Sequence, residues 1–288
     1  MKPLNQLLTL SLLLIASCLY AQDEQGTVIQ NLTPSQLIKK GQWDIKFFNN
    51  LYTQTESTFT DGNEPRETFF TSTLDVFYGI SENRRWNIGT IVEFRSNVNS
   101  DRDALDVFSF DGENGTARSG LTSIAPAVKF VPFKNLGNFS ILSAFHIPLV
   151  DNEVEQGVFL DQNGYILQNR FFYDYSFGQK KWQLFTELNT EFNFGKEEDS
   201  FANDSLRLTP GIFLSYFPSS KFTVLGLVQH SQLIDLGNDF SQNFTAVGGG
   251  AKYQLTNALN IEILYTNFVR GNDTGLGETF NIGLRAVF

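Results

Sequence analysis

From Gln42 to Phe288 apolar and polar residues alternate with period two, in segments of about 10 to 15 residues parted by clusters of Gly, Asn, Asp, Ser, Pro and Lys. Twelve segments emerge, roughly 42–55, 67–80, 85–98, 119–132, 138–150, 165–178, 182–195, 205–218, 222–234, 242–255, 259–270 and 277–288. In the last, Phe280, Ile282, Leu284, Ala286 and Phe288 share one face and Thr279, Asn281, Gly283, Arg285 and Val287 the other. Segment 182–195 sets Trp182, Leu184, Leu188, Phe192 and Phe194 against Gln183, Glu187, Asn189, Glu191 and Asn193. The connections alternate in length: Ser81–Arg84, Phe133–Gly137, Gly178–Lys181, Ser219–Lys221 and Thr256–Ala258 are short, whereas 99–118, 151–164 and 196–204 are long. Short turns on one rim and long loops on the other predict an all-β fold, a transmembrane antiparallel up-and-down β-barrel of about 12 strands. An even strand number puts both chain ends on the short-turn, periplasmic rim. The competing reading is a secreted sandwich, in which the apolar stripe points inward. Strand length and aromatics at strand ends (Trp43, Trp86, Tyr165, Trp182, Phe222, Phe288) favour lipid outside.

The chain before Gln42 follows other rules. Residues 1–21 read as a signal peptide, with Lys2 as the positive region, Leu7 to Ile15 as the apolar core and Ala21 at the cleavage site. A rival reading takes Ile15-Ala16-Ser17-Cys18 as a lipobox and keeps Cys18 as a lipidated first residue. Beyond residue 21 no run approaches the roughly 18 to 20 apolar residues of a spanning helix. Residues 22–41 form a periplasmic segment in which Thr33, Pro34 and Gln36 make a capping box closed by Gly41, predicting one short helix that plugs or caps the mouth. The barrel then occupies 42–288.

Charge and composition narrow the chemistry. The 31 Asp+Glu against 21 Lys+Arg give a net charge of −10, which argues against nucleic-acid binding because phosphates need clustered cations. The acids concentrate in the long loops, as at Asp101, Asp103, Asp106, Asp111 and Glu113, while the short turns carry Arg84, Arg85, Lys134, Lys180, Lys181 and Lys221. The single cysteine excludes structural zinc and a disulfide framework, and no cofactor motif is present. Asp101, Asp103 and Asp106 invite a calcium reading, but the D-x-D-x-D-G spacing is absent and a solvated loop is the plainer account. Gly248, Gly249 and Gly250 lie mid-strand and open no helix, so they predict a bulge, a bend or room for the N-terminal segment, not a phosphate cradle.

The terminal strand Glu278-Thr-Phe-Asn-Ile-Gly-Leu-Arg-Ala-Val-Phe288, with Phe280, Ile282, Leu284 and Phe288 alternating outward, resembles the C-terminal assembly signal of Gram-negative outer-membrane proteins. That resemblance implies recognition by the barrel-assembly machinery and residence in outer-membrane lipid. The recurrent pattern of aromatic strand end, polar turn and aromatic restart spans most of the chain, as in Phe77-Tyr78-Gly79-Ile80-Ser81-Glu82-Asn83-Arg84-Arg85-Trp86 and Lys252-Tyr253-Gln254-Leu255-Thr256-Asn257-Ala258-Leu259-Asn260. It is similar to outer-membrane transporters of the phenol-degradation meta-pathway type, which implies passage of small organic solutes.

If the apolar stripe faces lipid, the lumen receives Asp44, Lys46, Asp75, Glu93, Arg95, Lys129, His146, Arg170, Asp174, Glu187, Glu191, Arg207, Lys252, Glu262 and Arg285, with Phe48, Tyr52, Phe69, Phe77, Phe172 and Phe185. Such a set either pairs and fills the interior or lines a selective constriction. The first predicts a closed barrel that anchors a partner protein, the second a barrel that admits small solutes. A lipid hydrolase is the enzymatic alternative, but His146 and His230 have no Ser two residues away on their own strands, and Ser123, Ser143 or Ser215 would need cross-strand pairing to reach one.

Overall fold

The computed structural model describes residues 35–195, 202–237 and 239–288. The signal peptide, Cys18, Thr33 and Pro34 lie outside the described residues. Strands run at β1 (Trp43–Gln54), β2 (Glu67–Gly79), β3 (Trp86–Val98), β4 (Ala117–Phe130), β5 (Phe139–Pro148), β6 (Val154–Glu155), β7 (Val158–Phe159), β8 (Tyr165–Phe177), β9 (Trp182–Phe194), β10 (Ser205–Tyr216), β11 (Phe222–Asp235), β12 (Gln242–Gln254), β13 (Leu259–Asn272) and β14 (Glu278–Val287). All except the small β6–β7 hairpin join one closed barrel, each strand antiparallel to its chain neighbour, with β14 returning to β1. The expected twelve spanning segments are thus the twelve barrel strands. At the seam Trp43 and Phe288 exchange backbone hydrogen bonds of 2.7 and 3.1 Å, so β1 and β14 meet on the short-turn rim.

The alternation resolves as greasy side out. Phe192 and Ile282 are 39% and 52% exposed on the outer wall, whereas Glu191 points inward beside Arg207. Closure of the sheet removes the sandwich reading, since no second layer covers the apolar face. Around the short-turn rim the strand-end aromatics pair: Trp43 with Tyr78 (4.9 Å between ring centres), Trp86 with Phe130 (5.1 Å) and Trp182 with Tyr216 (4.7 Å). Such rings suit a headgroup boundary, being apolar in body and polar at the edge.

Residues 35–41 correct an expectation. Among the described residues of this segment no helix forms: Ser35 to Gly41 run as turns and irregular chain at the barrel mouth. Tertiary contacts override the capping pattern. Leu37 and Ile38 are almost fully buried, Ile38 against inward-facing Val287, and Lys40 N and Gly41 N donate to the carbonyls of Ser81 and Gly79. With its amide turned to satisfy both groups, Asn87 donates to the Ile38 carbonyl and accepts from the Ile38 N–H, each at 3.2 Å. Gly79 makes the seat possible, because a Cβ there would lie 1.9 Å from the Lys39 carbonyl oxygen.

The triple glycine of β12 has a different reason from those expected. No bulge falls there; the register shift in β12–β13 lies between Thr245 and Ala246. A Cβ on Gly248 or Gly250 would sit 2.0 or 2.1 Å from the carbonyl oxygens of Tyr265 and Ile263, so β12 and β13 approach too closely for a side chain at either of these positions. The room for the N-terminal segment comes from Gly79 instead.

A Gly250→Val barrel should therefore lose about 1–3 kcal/mol, the usual cost of overpacking. On detergent gels it should yield less of the fast-migrating unheated form than the parent. Gly226→Ala, where the nearest atom to an added Cβ is 3.9 Å away, should match the parent.

Candidate functional site

Because partner residues across an antiparallel ladder share a face, the register carries each inward charge to its counterpart. Lys46 stands opposite both Asp75 and Arg285, Lys252 opposite Glu262, and Arg207 opposite Glu191. Arg285 grips Asp44 through two hydrogen bonds of 2.8 and 2.6 Å, Arg170 donates to Glu187 at 2.6 Å, Arg207 pairs with Glu191 at 3.6 Å, and Lys252 pairs with Glu262. Charges withdrawn from water are tolerable when paired in this way.

Between these pairs lies a cavity of about 650 Å³. Of the fifteen charged and histidine residues expected inside, eleven line it: Asp44, Lys46, Asp75, Glu93, Lys129, His146, Arg170, Glu187, Lys252, Glu262 and Arg285. The other four continue the inner face beyond it. Arg95 reaches Asp161 at 3.1 Å, Glu191 pairs with Arg207, and Asp174 accepts from Gln183 near the short-turn rim. Phe280 and Ile282, of the assembly-signal residues, are exposed on the outer wall, with Leu284 partly exposed and Phe288 closing the seam.

One wall of the lumen is apolar. Phe77, Ile91, Ala125, Leu142, Ala144, Phe172 and Phe185 form a buried cluster from β2 round to β9, extended by Phe213 on β10. Phe172 and Phe185 stack at 6.0 Å, and Phe185 meets Phe213 at 5.3 Å. Nearer the long-loop rim Tyr52, Phe244 and Phe268 form a second group, with Tyr52–Phe268 at 4.9 Å and Phe244–Phe268 at 4.1 Å. Phe213, Phe244 and Phe268 escaped the sequence reading, although strict alternation from Ser215, Ala246 and Glu262 reaches them.

Both ends of the lumen are covered in part. From the short-turn rim comes the 35–41 segment, whose Gln36 carbonyl accepts from Lys129 at 3.5 Å. From the other side the 149–164 connection folds inward as the β6–β7 hairpin, burying Val158 and Leu160. Arg118 holds it through main-chain carbonyls, donating to Asn152 (3.1 Å) and Glu153 (2.8 Å), while Asn97 donates to Phe159 (2.8 Å) and Leu160 (3.0 Å). On the hairpin Asn152 donates to the Glu155 carboxylate, which holds that group below the ordinary carboxylate value; Glu113 and Arg118 add to the effect. Arg118 was hidden by a bulge. Ser123 opposes Glu93 and Leu121 opposes Phe94, so the extra Thr122 shifts the parity of β4 and turns Arg118 inward.

The 99–116 loop behaves differently, bending over the outer wall. A 3₁₀ turn at Ala104–Phe108 buries Val107 against Phe70, Val98 and Ala117, and Ser96 Oγ donates to the Val107 carbonyl at 2.6 Å. Arg102 takes up Asp106 (3.1 Å) and Asp111 (2.6 Å), which spends on a guanidinium the oxygens a calcium site would need. Among the described residues no group of three His, Cys, Asp or Glu is placed to hold a metal ion.

Cross-strand pairing does bring a serine to a histidine. Ser123 Oγ lies 3.3 Å from His146 Nδ1 and 3.4 Å from Glu93 Oε2. The carboxylate thus touches the serine and not the imidazole, whereas a nucleophile–base relay needs the acid on the far side of the ring. Both groups also face the lumen. On the outer wall His230 meets Thr245 at 2.9 Å.

No family model matches the sequence, and no curated protein matches it. The fold is similar to that of an outer-membrane channel from Pseudomonas putida F1, with a TM-score of 0.66 and 10% identity over 88% of this chain and 98% of that one. It is also similar to the β domain of the Bordetella autotransporter BrkA, with a TM-score of 0.56 and 13% identity over 87% of this chain and 100% of that one. At these identities the likeness is one of fold, that of a closed β-barrel.

Replacing Arg118 by Ala should free the hairpin without opening the barrel wall. Limited proteolysis within 151–164 should quicken severalfold over the parent, while the heat-dependent gel shift stays as it was.

Proposed function

We propose that this chain is an outer-membrane barrel that admits or conducts small solutes, with no catalytic role. The observation that carries the reading is the 650 Å³ cavity inside a closed barrel, lined by paired charges on one side and aromatic rings on the other. Filler alone would leave no such space, because interiors ordinarily pack to the density of organic crystals. The similar Pseudomonas putida structure is described as an outer-membrane channel, which supports the same reading. The short-turn rim with both strand ends then faces the periplasm, and the long acidic loops face outward. The outward-facing Phe280, Ile282, Leu284 and Phe288 of the last strand are the surface the barrel-assembly machinery would take up.

A second reading, a closed barrel that anchors a partner protein, is favoured by the cover at both mouths. Conductance separates the two. The refolded protein in planar bilayers should pass discrete currents, and liposomes carrying it should swell in small sugars or amino acids. A barrel that passes neither is the anchor.

Within the channel reading, residues 22–41 act as a periplasmic plug. A variant lacking 22–41 but keeping its export signal should show higher unitary conductance, since Leu37 and Ile38 leave the mouth. Unchanged conductance would remove the plug from this account.

A further inference from the structure

We infer that the lumen holds a binding site for a small aromatic monocarboxylate, an inference that rests on the channel reading and names its class of solute. The cations lining the cavity are unequal. Arg285, Arg170 and Lys252 each spend their charge on a carboxylate within ion-pair distance. Lys46 does not. Among the described residues its ammonium has no carboxylate within 4.0 Å and no hydrogen bond; it lies over the Phe48 ring at 5.0 Å, with Asp75 opposite it on β2 at longer range. With Lys221 of the short turn counted at its rim, the cavity wall carries six Lys and Arg against five Asp and Glu, a surplus of one formal positive charge. A monoanion cancels that surplus, whereas a cation adds to it.

A second polar group addresses the same space. His146 is only 6% exposed, its Nδ1 is engaged with Ser123, and its Nε2 has no partner although the residue lines the cavity. A buried nitrogen of this kind calls for a partner, which a bound solute or a water beside it supplies. Lys46, Asp75 and His146 all line this one cavity.

The ring preference follows from the neighbouring wall. Phe172, Phe185 and Phe213 present a continuous aromatic surface, and Lys129 and Arg170 stand 5.3 and 5.2 Å from the Phe172 centre. A flat ring can lie against this surface while its carboxylate turns to Lys46, so apolar burial and charge act on one molecule.

Benzoate is the probe, titrated calorimetrically into the full mature barrel in detergent at low salt. It should bind about tenfold tighter than benzyl alcohol, acetate or benzylamine, the step expected from one charge-assisted contact. Lys46→Gln should abolish the advantage over benzyl alcohol, Lys46→Arg should restore it, and Phe172→Leu should weaken benzoate but not acetate. Raised salt should weaken benzoate most. Equal affinity for benzoate and benzyl alcohol, or an unaltered benzoate affinity in Lys46→Gln, overturns the site. If the Lys46 variants fail to show the folded gel form, Phe172→Leu and the salt series decide. Tight benzoate binding by a barrel that passes no solute would sink the channel reading and leave the site; conduction without benzoate preference would do the reverse.

Discussion

Hydrocarbon offers a backbone no hydrogen-bonding partner, so a chain that crosses it as strands must pair every edge with another of its own. The β1–β14 seam meets this demand, running in register from Asp44 opposite Val287 to Thr53 opposite Glu278. Once the seam closes, inside and outside exchange their usual characters. Apolar residues go to the perimeter because that is where the solvent is greasy, and polar residues must find partners in a space only twelve strands wide.

The inner charges follow from this confinement. Straight cross-strand neighbours such as Lys252 and Glu262 neutralise each other, and a ring of such pairs stiffens the wall from within. Where the pairing is incomplete, at Lys46, Asp75 and His146, the interior also keeps its open volume. Aromatic side chains supply the remaining lining because they cover area with little loss of rotamer freedom. The lumen is therefore not a packed core: charged pairs and aromatic rings line an open space of about 650 Å³.

Much of this was legible in the sequence, since the side-chain period of a strand is fixed and a single residue's parity gives its face. Asp44, Lys46, Arg170 and Arg285 sit inside for that reason. Parity fails wherever a strand gains a residue. Thr122 turned Arg118 inward unnoticed, and the shift beyond Ala246 leaves Arg270 paired with Thr245 on the outer wall. The N-terminal segment illustrates a second limit: Thr33, Pro34 and Gln36 spell a helix start, yet contacts with Asn87, Ser81 and Val287, far away in the chain, decide the conformation of 35–41. Long loops show a third, because acidity alone could not tell that one would fold into the mouth and another over the outside.

The way the β6–β7 hairpin is held bears on how its surface can change over generations. Arg118 and Asn97 grasp chiefly carbonyl oxygens, which every amino acid supplies, and the one side chain of the segment that Arg118 also meets, Glu155, lies farther off at 3.9 Å. Exposed positions such as Val154 and Asn152 can then drift in identity while the strap keeps its place. That exposed face can thus be rewritten by substitution while the covered lumen behind it stays untouched.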